Sequence, residues 1–234
     1  MSGDPTVLVI GGGATGTGVA RDLSMRGVDV ALVDRGGLGS GTSGRSHGLL
    51  HSGARYAEAD AEGARECIEE NRTLRGIAGA CVRDTGGLFV RLDGDDPDYF
   101  EEKLAACEAV GIETERLDGD DAREAAPGLA DDVEAAFRVP DGVIYPSRLV
   151  AANAADAERR GASVHPHAPV EDVTVRDGEV ASVSVGGSVD ATLSPDVVVN
   201  ATGAWADSIA ELAGVDVGMA PSRGVMVSVE HEGL

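Results

Sequence analysis

Short apolar runs alternate with amphipathic segments from the start of the chain. Residues 6–10 form a continuous run of β-branched and aliphatic side chains, which is typical of a central parallel strand buried on both faces. In residues 14–26 the apolar positions recur at helical spacing, and Gly27 follows where a helix end favours a left-handed residue. Residues 28–34 show a second strand pattern. This order predicts one βαβ unit and a parallel sheet.

Further helix and strand patterns follow along the rest of the chain. Helices are predicted over residues 61–80, 98–110, 147–160 and 204–213. Strands are predicted over residues 87–92, 170–175, 180–185, 197–199 and 225–229. Between two of these strands, Asp177-Gly178 predicts a hairpin turn. The mixture of elements predicts an α/β fold.

Three glycines in G-x-G-x-x-G spacing lie between the first strand and the first helix. Gly11 permits a tight turn, Gly13 lets the backbone approach a pyrophosphate, and Gly16 lets helix and strand pack closely. The pyrophosphate would meet free amides and the positive end of the helix dipole. Asp34 ends the second strand, where a carboxylate accepts hydrogen bonds from ribose hydroxyls and disfavours NADP. A glycine-rich turn that binds nothing is the alternative, and the spacing alone does not separate NAD from FAD.

Three later features favour FAD over NAD. The Gly-, Ser- and Thr-rich loop over residues 36–46 is longer than a nicotinamide-binding domain needs at that point. The hairpin that begins near Val170 comes late, after an inserted segment. Ala201-Thr202-Gly203 ends a buried strand and would bring backbone close to a second part of the nucleotide.

The charge of the chain is strongly acidic. Nineteen basic residues face 41 acidic ones, the formal net charge is −22, and Lys103 is the only lysine. Such a field repels nucleic acid and anionic lipid, so neither is an expected direct partner. The acidic residues are spread along the chain, which indicates a halophile-like surface that stays soluble at high salt.

Neither a metal site nor a membrane span is expected. Cys67, Cys81 and Cys107 lack CxxC spacing, and the histidines of residues 165–167 have no ligand partner nearby, so a loop is expected there. The lone Trp205 is expected to pack in the core. The N-terminus has no signal-peptide pattern and no apolar stretch is long enough to span a bilayer. We therefore expect a cytoplasmic protein whose membrane attachment, if any, is indirect.

One block of sequence resembles a known family. Residues 41–56, GTSGRSHGLLHSGARY, resemble the FAD-dependent glycerol-3-phosphate dehydrogenases of the D-amino-acid-oxidase-like flavoprotein superfamily, and in particular the catalytic chain of the anaerobic, membrane-associated form. Residues 64–68, 87–89, 139–142 and 200–203 match as well. The resemblance therefore covers essentially the whole chain.

The resemblance implies a fold and a reaction. It implies a Rossmann-like FAD-binding domain built from residues 1–80 and 145–215, interleaved with an incomplete substrate or cap domain of residues 81–144 and 216–234. Hydride would pass from C2 of sn-glycerol 3-phosphate to the flavin N5, giving dihydroxyacetone phosphate. Electrons would continue to a quinone through partner subunits, with the protein peripheral on the inner face of the cell membrane.

The resemblance also assigns roles to individual residues. The implied FAD-binding residues are Gly11, Gly13, Gly16, Asp34, Thr42, Ser43, Ser46, His51, Ser52, Val170, Ala201 and Gly203. The implied substrate-binding residues are His51, Arg55 and Tyr56. Met226 stands where the aerobic branch carries a histidine, so no catalytic base is assigned. Family members continue well beyond position 234, so the chain is expected to be an incomplete catalytic unit.

Two other functions are compatible with the same residues. The superfamily includes oxidases and dehydrogenases of 2-hydroxy acids and amino acids, which bind FAD with a similar N-terminal half. A dinucleotide-binding fragment without catalytic activity is the other alternative.

Overall fold

A computed structural model describes residues 4–220 and 222–227 of the chain. Its strands are β1 (Val7–Ile10), β2 (Val30–Val33), β3 (Leu49–Leu50), β4 (Val82–Arg83), β5 (Gly87–Leu92), β6 (Glu115–Asp118), β7 (Val133–Val139), β8 (Gly142–Ile144), β9 (Ser163–His165), β10 (Val170–Arg176), β11 (Glu179–Val185), β12 (Ala191–Leu193) and β13 (Val197–Asn200). Its α-helices are α1 (Ala14–Met25), α2 (Ala61–Ala78), α3 (Pro97–Ala109), α4 (Gly119–Ala125), α5 (Pro146–Arg159) and α6 (Ala206–Leu212). The predicted α/β class is confirmed.

The chain divides into two compact units. Among the described residues, the first comprises those of Met1–His47 and Pro146–Gly224, and the second comprises those of Gly48–Tyr145 and Val225–Leu234. The sequence-based bounds had assigned residues 48–80 to the dinucleotide-binding domain. In the structure these residues lie in the second unit, because β3 pairs with β8 and α2 contributes apolar side chains to the core of that unit. The functional roles of the two parts remain predictions.

The first unit is built on a parallel four-stranded sheet of order β13-β1-β2-β9. The predicted βαβ unit is confirmed by β1, α1 and β2, and all four residues of each strand are buried. Gly27 adopts the expected positive φ of 78° directly after the helix. Strand β9 was wrongly expected to be a loop at its His165 end. It is a three-residue edge strand held by pairing with β2, which no local pattern reveals.

Two apolar clusters cover the faces of this sheet. One cluster joins β1 and β2 to helices α1 and α5, which pack on each other. The other joins β1 and β2 to the antiparallel sheet β10-β11-β12. The predicted Asp177-Gly178 turn connects β10 to β11, and both residues have positive φ angles, 55° and 85°. That pair of angles is the one that a two-residue hairpin turn requires.

The second unit has two small antiparallel sheets, β5-β7-β6 and β3-β8-β4. Its core is centred on Phe137, whose ring stacks on Phe89 at 5.1 Å and meets Phe100 edge-on at 5.3 Å. Helices α2 and α3 add apolar side chains to the same cluster. The core therefore fixes both helices against strand β7.

The predicted strand over residues 225–229 is wrong in its described part. Val225–Val227 forms no strand, and these side chains are exposed, 84% in the case of Val225. An apolar run becomes a strand only when another strand supplies hydrogen-bond partners. Residues 228 and 229 lie outside the described residues.

The apolar character of the helices and the burial of the cysteines also bear on the sequence-based expectations. Within residues 4–220 and 222–227, none of the helices combines the length and the apolar character needed to cross a bilayer. Cys81 and Cys107 are buried, whereas Cys67 is half-buried. Burial raises the pKa of the Cys107 thiol to about 11, so it is held as an unreactive thiol.

Candidate functional site

The turn after β1 has no room for side chains. Gly11 has a φ of 113°, and a Cβ atom there would lie 2.4 Å from the Ala201 carbonyl oxygen at the end of β13. A Cβ atom on Gly16 would lie 1.8 Å from the Gly11 carbonyl oxygen. Both distances are far below van der Waals contact. The tight turn and the close approach of helix and strand predicted for these two glycines are therefore confirmed.

The N-terminus of α1 is the place where the sequence predicts a pyrophosphate. Gly13 precedes the helix, and the backbone N–H of Ala14 donates to the Ser43 hydroxyl over 2.9 Å. A Cβ atom on Gly13 would lie 3.1 Å from the same hydroxyl. Ser43, predicted to lie on the cofactor side, is thus brought to the positive end of the helix. Its hydroxyl can accept from the helix and still donate its proton to an anion.

The Asp34 carboxylate lies against the same turn. Its Oδ2 accepts from the Gly12 N–H at 2.6 Å, and its Oδ1 accepts from the Gly36 N–H at 2.7 Å. Asp34 thus fixes the turn after β1 to the loop after β2, a structural role that the sequence did not indicate. A carboxylate has about four lone-pair sites. Two backbone bonds leave capacity for the ribose hydroxyls, whose binding by Asp34 stays a prediction.

The loop over residues 36–46 is ordered by its own backbone. The Gly39 N–H donates to the Gly12 carbonyl at 2.8 Å, and the Gly44 N–H donates to the Gly39 carbonyl at 2.9 Å. Thr42 precedes a 3-10 turn over Ser43–Arg45, and Ser46 follows it; Thr42 and Ser46 are exposed, whereas Ser43 is half-buried. The loop therefore presents its hydroxyls from a defined backbone.

A second backbone segment reaches the turn from β13. The Ala201 N–H donates to the Ile10 carbonyl at 2.8 Å, and Gly203, with φ of 59°, begins a 3-10 turn. This placement brings Ala201 beside Gly11. The predicted approach of residues 201–203 to the nucleotide stays a prediction. Val170 begins β10 in the same unit, opposite Val185. Its predicted contact with adenine stays a prediction.

Trp205 is not a core residue, contrary to the prediction. It is 37% exposed, and the Arg35 guanidinium carbon lies 4.2 Å from the centroid of its ring. A Cβ atom on Gly41 would lie 3.2 Å from the indole. A tryptophan that stacks on a guanidinium can stay at the surface, because the cation covers one ring face. Trp205 therefore packs against the loop over residues 36–46.

The implied substrate-side residues of the second unit lie on one short segment. Ser52 is fully buried and its N–H donates to Asp141 Oδ1 at 2.6 Å. The His51 and Tyr56 rings meet edge-on at 5.8 Å. Arg55 and Tyr56 are exposed. Among the described residues, His51 Nδ1 and Ser52 Oγ are buried without a hydrogen-bond partner, a state that costs free energy unless a ligand supplies one.

A partly buried ion pair supports the turn that carries Arg55. Lys103 is 6% exposed, and its ammonium donates to the Arg55 carbonyl at 3.0 Å and to the Glu58 carboxylate. Burial raises the pKa of the Glu58 carboxyl. The hydrogen bond and charge of Lys103, together with hydrogen bonds from the Glu58 backbone and Tyr99, outweigh burial, so the pKa lies below its ordinary value of 4.5. This role of Lys103 was not predicted from the sequence, although its being the only lysine among many arginines was a signal.

This ion pair predicts a pH-dependent part of the stability. A carboxyl whose folded pKa is lowered stabilises the fold above its unfolded pKa and loses that contribution as the pH falls through its folded pKa. We expect the stability difference between wild type and the Lys103→Met/Glu58→Gln double variant to shrink as the pH falls below about 4.5. Urea unfolding at a series of pH values measures it. A constant difference across that range would contradict the assignment.

Nearly the whole chain matches one family model. Residues 6–234 match the model described as DAO, FAD dependent oxidoreductase. The chain belongs to this FAD-dependent oxidoreductase family. Membership confirms FAD as the predicted cofactor and the FAD-binding α/β fold, since the first unit has the Rossmann-like βαβ unit.

Within this family the chain is similar to components of anaerobic glycerol-3-phosphate dehydrogenases. It is 53% identical to the A1 component of the anaerobic glycerol-3-phosphate dehydrogenase of Haloferax volcanii, over 97% of this chain and 41% of the relative. It is 44% identical to the corresponding component of the Escherichia coli K12 enzyme, over 96% of this chain and 42% of the relative. The predicted resemblance is confirmed, and the halophile-like composition fits the Haloferax relative. The chain spans about two fifths of the length of the curated relatives it matches.

The fold is shared with a solved flavoprotein. The L-α-glycerophosphate oxidase of Mycoplasma pneumoniae, solved with FAD bound, superposes with a TM-score of 0.73. The match covers 92% of this chain and 58% of that one, at 19% sequence identity. At this identity the similarity establishes the fold alone.

The residues of this FAD-dependent oxidoreductase chain fit its cofactor. The turn at Gly11 and Gly16 is a cradle that a Cβ atom would fill, and α1 points its N-terminus at that turn. In the second unit, the buried His51 Nδ1 and Ser52 Oγ lack partners among the described residues. Flavin and ribose offer both donors and acceptors for such atoms. By contrast, the described residues contain no cluster of His, Cys, Asp or Glu that could hold a metal ion.

Proposed function

We propose that this protein oxidises sn-glycerol 3-phosphate to dihydroxyacetone phosphate, with FAD as its cofactor. The observation that carries the proposal is the 53% and 44% identity to components of anaerobic glycerol-3-phosphate dehydrogenases, which extends over nearly all of this chain. Bound FAD would accept the two electrons of the oxidation in the form of a hydride. The protein supplies binding, orientation and electrostatics.

The residues that we propose for cofactor binding come from both units. Gly11, Gly13 and Gly16 of the first unit let the pyrophosphate approach the N-terminus of α1. Thr42, Ser43, Ser46, Asp34, Val170, Ala201 and Gly203 complete the nucleotide site. His51 and Ser52 are the residues of the second unit that we propose for flavin binding, because His51 Nδ1 and Ser52 Oγ are buried without a partner among the described residues.

Arg55 is the proposed contact to the substrate phosphate. Its side chain is exposed, whereas its backbone carbonyl is held by buried Lys103. A dianionic substrate is repelled by a chain with a net charge of −22. The Arg55 guanidinium would offset this repulsion locally and bind phosphate through paired hydrogen bonds. Tyr56 and His51 lie on the same segment and complete the proposed substrate side.

The proposal includes partners and a location. The relatives are named as subunits, which supports assembly with other chains. We propose that electrons pass to a quinone through such partner subunits. The protein would then lie in the cytoplasm, peripherally on the inner face of the cell membrane.

Anaerobic flavin reduction tests the function. The purified protein is loaded with FAD, desalted and mixed with glycerol 3-phosphate, and the loss of flavin absorbance is followed. We expect bleaching by glycerol 3-phosphate and none by 2-hydroxyglutarate or amino acids. Bleaching by one of the latter alone would favour the 2-hydroxy acid or amino acid alternative. Bound flavin that no substrate reduces would indicate a fragment without catalytic activity.

Replacing Arg55 by alanine is expected to weaken substrate use and spare the cofactor. A hydrogen bond to a charged group is worth about 1.5 to 3 kcal/mol, so KM for glycerol 3-phosphate should rise about 10- to 100-fold. FAD content should equal that of wild type. Arg65→Ala is the matched control, because Arg65 is an exposed arginine on α2 of the same unit. An unchanged KM in Arg55→Ala would remove Arg55 from the site.

A further inference from the structure

Helix α2 buries a polar side chain in the second unit. Asn71 is 1% exposed. Its Nδ2 donates to the Leu50 carbonyl at 3.2 Å and to the Pro140 carbonyl at 3.1 Å, and its Oδ1 accepts from Arg75 Nε at 2.7 Å. One amide thus joins two chain segments that are far apart in sequence. A buried amide with its groups satisfied in this way fixes the positions of its partners.

Arg75 adds three more bonds to the same network. Its Nη2 donates to the carbonyls of Pro140 and Asp141, both at 3.0 Å, and its Nη1 donates to Asp84 Oδ1 at 2.9 Å. The guanidinium lies so close to the chain that a Cβ atom on Gly142 would be 2.9 Å from Nη2. A planar group with five N–H donors can hold several acceptors at fixed angles. Arg75 and Asn71 together therefore hold the turn at residues 140–142.

The network ends at Ser52. Asp141, whose carbonyl accepts from Arg75, also accepts the Ser52 N–H through its carboxylate at 2.6 Å. Leu50, whose carbonyl accepts from Asn71, lies opposite Gly142 in the β3–β8 pair. The segment over residues 50–52 is thus bound on both sides by groups that Asn71 and Arg75 hold.

We infer that Asn71 and Arg75 are positioning residues that set the placement of His51 and Ser52 and, through it, the affinity for FAD. The inference rests on the proposed function, in which His51 and Ser52 lie beside the flavin. Ser52 Oγ and His51 Nδ1 are the buried atoms of this segment that have no partner among the described residues. Their use by a ligand depends on sub-ångström placement of the backbone that carries them.

Two arginines of the same helix provide a matched test. Arg75→Met removes the hydrogen bonds that Arg75 makes to Asn71, Asp84, Pro140 and Asp141. Arg72→Met removes a guanidinium three residues earlier that donates to the Gly111 carbonyl at 2.7 Å. We expect Arg75→Met to raise the Kd for FAD about tenfold or more and to change the absorbance bands of the bound flavin. Arg72→Met should keep the wild-type Kd and spectrum. Arg75→Lys, which retains the charge but not the planar fork, should fall between them.

A second variant keeps the test decisive if Arg75→Met does not fold. Asn71→Asp keeps the size of the side chain but turns an acceptor toward two carbonyls in place of its donor group. It should weaken FAD binding at least as much as Arg75→Lys does, and its melting temperature without FAD shows whether it is folded. Wild-type Kd and spectrum in Asn71→Asp and Arg75→Lys would overturn the inference, as would equal losses in Arg72→Met and Arg75→Met. Failure of wild type to bind FAD would instead refute the proposed function.

Discussion

Gly13→Val is expected to abolish FAD retention while leaving the protein folded. A Cβ atom at position 13 would already lie 3.1 Å from the Ser43 hydroxyl, and the two methyl groups beyond it would occupy the N-terminus of α1. The pyrophosphate would lose the amides and the helix dipole together. We expect FAD affinity to fall about 100-fold or more, corresponding to roughly 3 kcal/mol.

Flavin content after desalting measures this effect. Gly18→Val is the control, because Gly18 lies on the same helix and the nearest atom to its added Cβ would be Asn153 Nδ2 at 4.0 Å. Circular dichroism of both variants should match that of wild type. Equal flavin content in wild type and Gly13→Val would refute the pyrophosphate site, and with it the enzyme assignment.

Gly16→Ala is expected to destabilise the first unit itself. Its Cβ atom would lie 1.8 Å from the Gly11 carbonyl oxygen and 3.3 Å from the Ala201 side chain. Gly11 cannot move freely, because its N–H donates to the Val33 carbonyl at 2.8 Å. Overpacking of this kind costs about 1 to 3 kcal/mol, and more where backbone is the obstacle. We expect the free energy of unfolding to fall by about 3 kcal/mol or more.

Denaturant unfolding without FAD separates this loss from cofactor binding. Gly18→Ala makes the same substitution two residues along α1, at a position with space for a methyl group. Alanine favours a helix interior over glycine by about 1 kcal/mol, so Gly18→Ala should be as stable as wild type or slightly more so. Similar midpoints for Gly16→Ala and wild type would show that helix and strand are not packed through this glycine.

The sequence predicted the elements whose signals are local. A buried apolar run, helical spacing and three glycines predicted both ends of β1, α1 and β2 to within two residues. The Asp177-Gly178 turn was predictable for the same reason, since neighbouring residues specify a two-residue hairpin. The structural roles of Gly11 and Gly16 could be predicted from their spacing. A β-strand, a tight turn and a helix in succession bring the backbone of the strand and that of the helix together at these glycines.

Other features depended on residues that are distant in sequence. Nothing near His165 indicates β9, which is held by its pairing with β2. The surface position of Trp205 depends on Arg35, and the strand expected over residues 225–229 is absent from its described residues, 225–227. The buried Lys103 has a function in the turn only because α3 brings it to the Arg55 carbonyl.

What the sequence by itself determined was the α/β class, the βαβ unit and the residue types suited to a flavin nucleotide. Only the tertiary structure decided that residues 48–80 pack in the second unit, that Asp34 fixes two loops, and that Asn71 and Arg75 hold the segment of Ser52. Local sequence patterns reflect the conformational preferences of short segments. Pairing between positions far apart in sequence depends on which surfaces meet when the core forms, and no single segment encodes that.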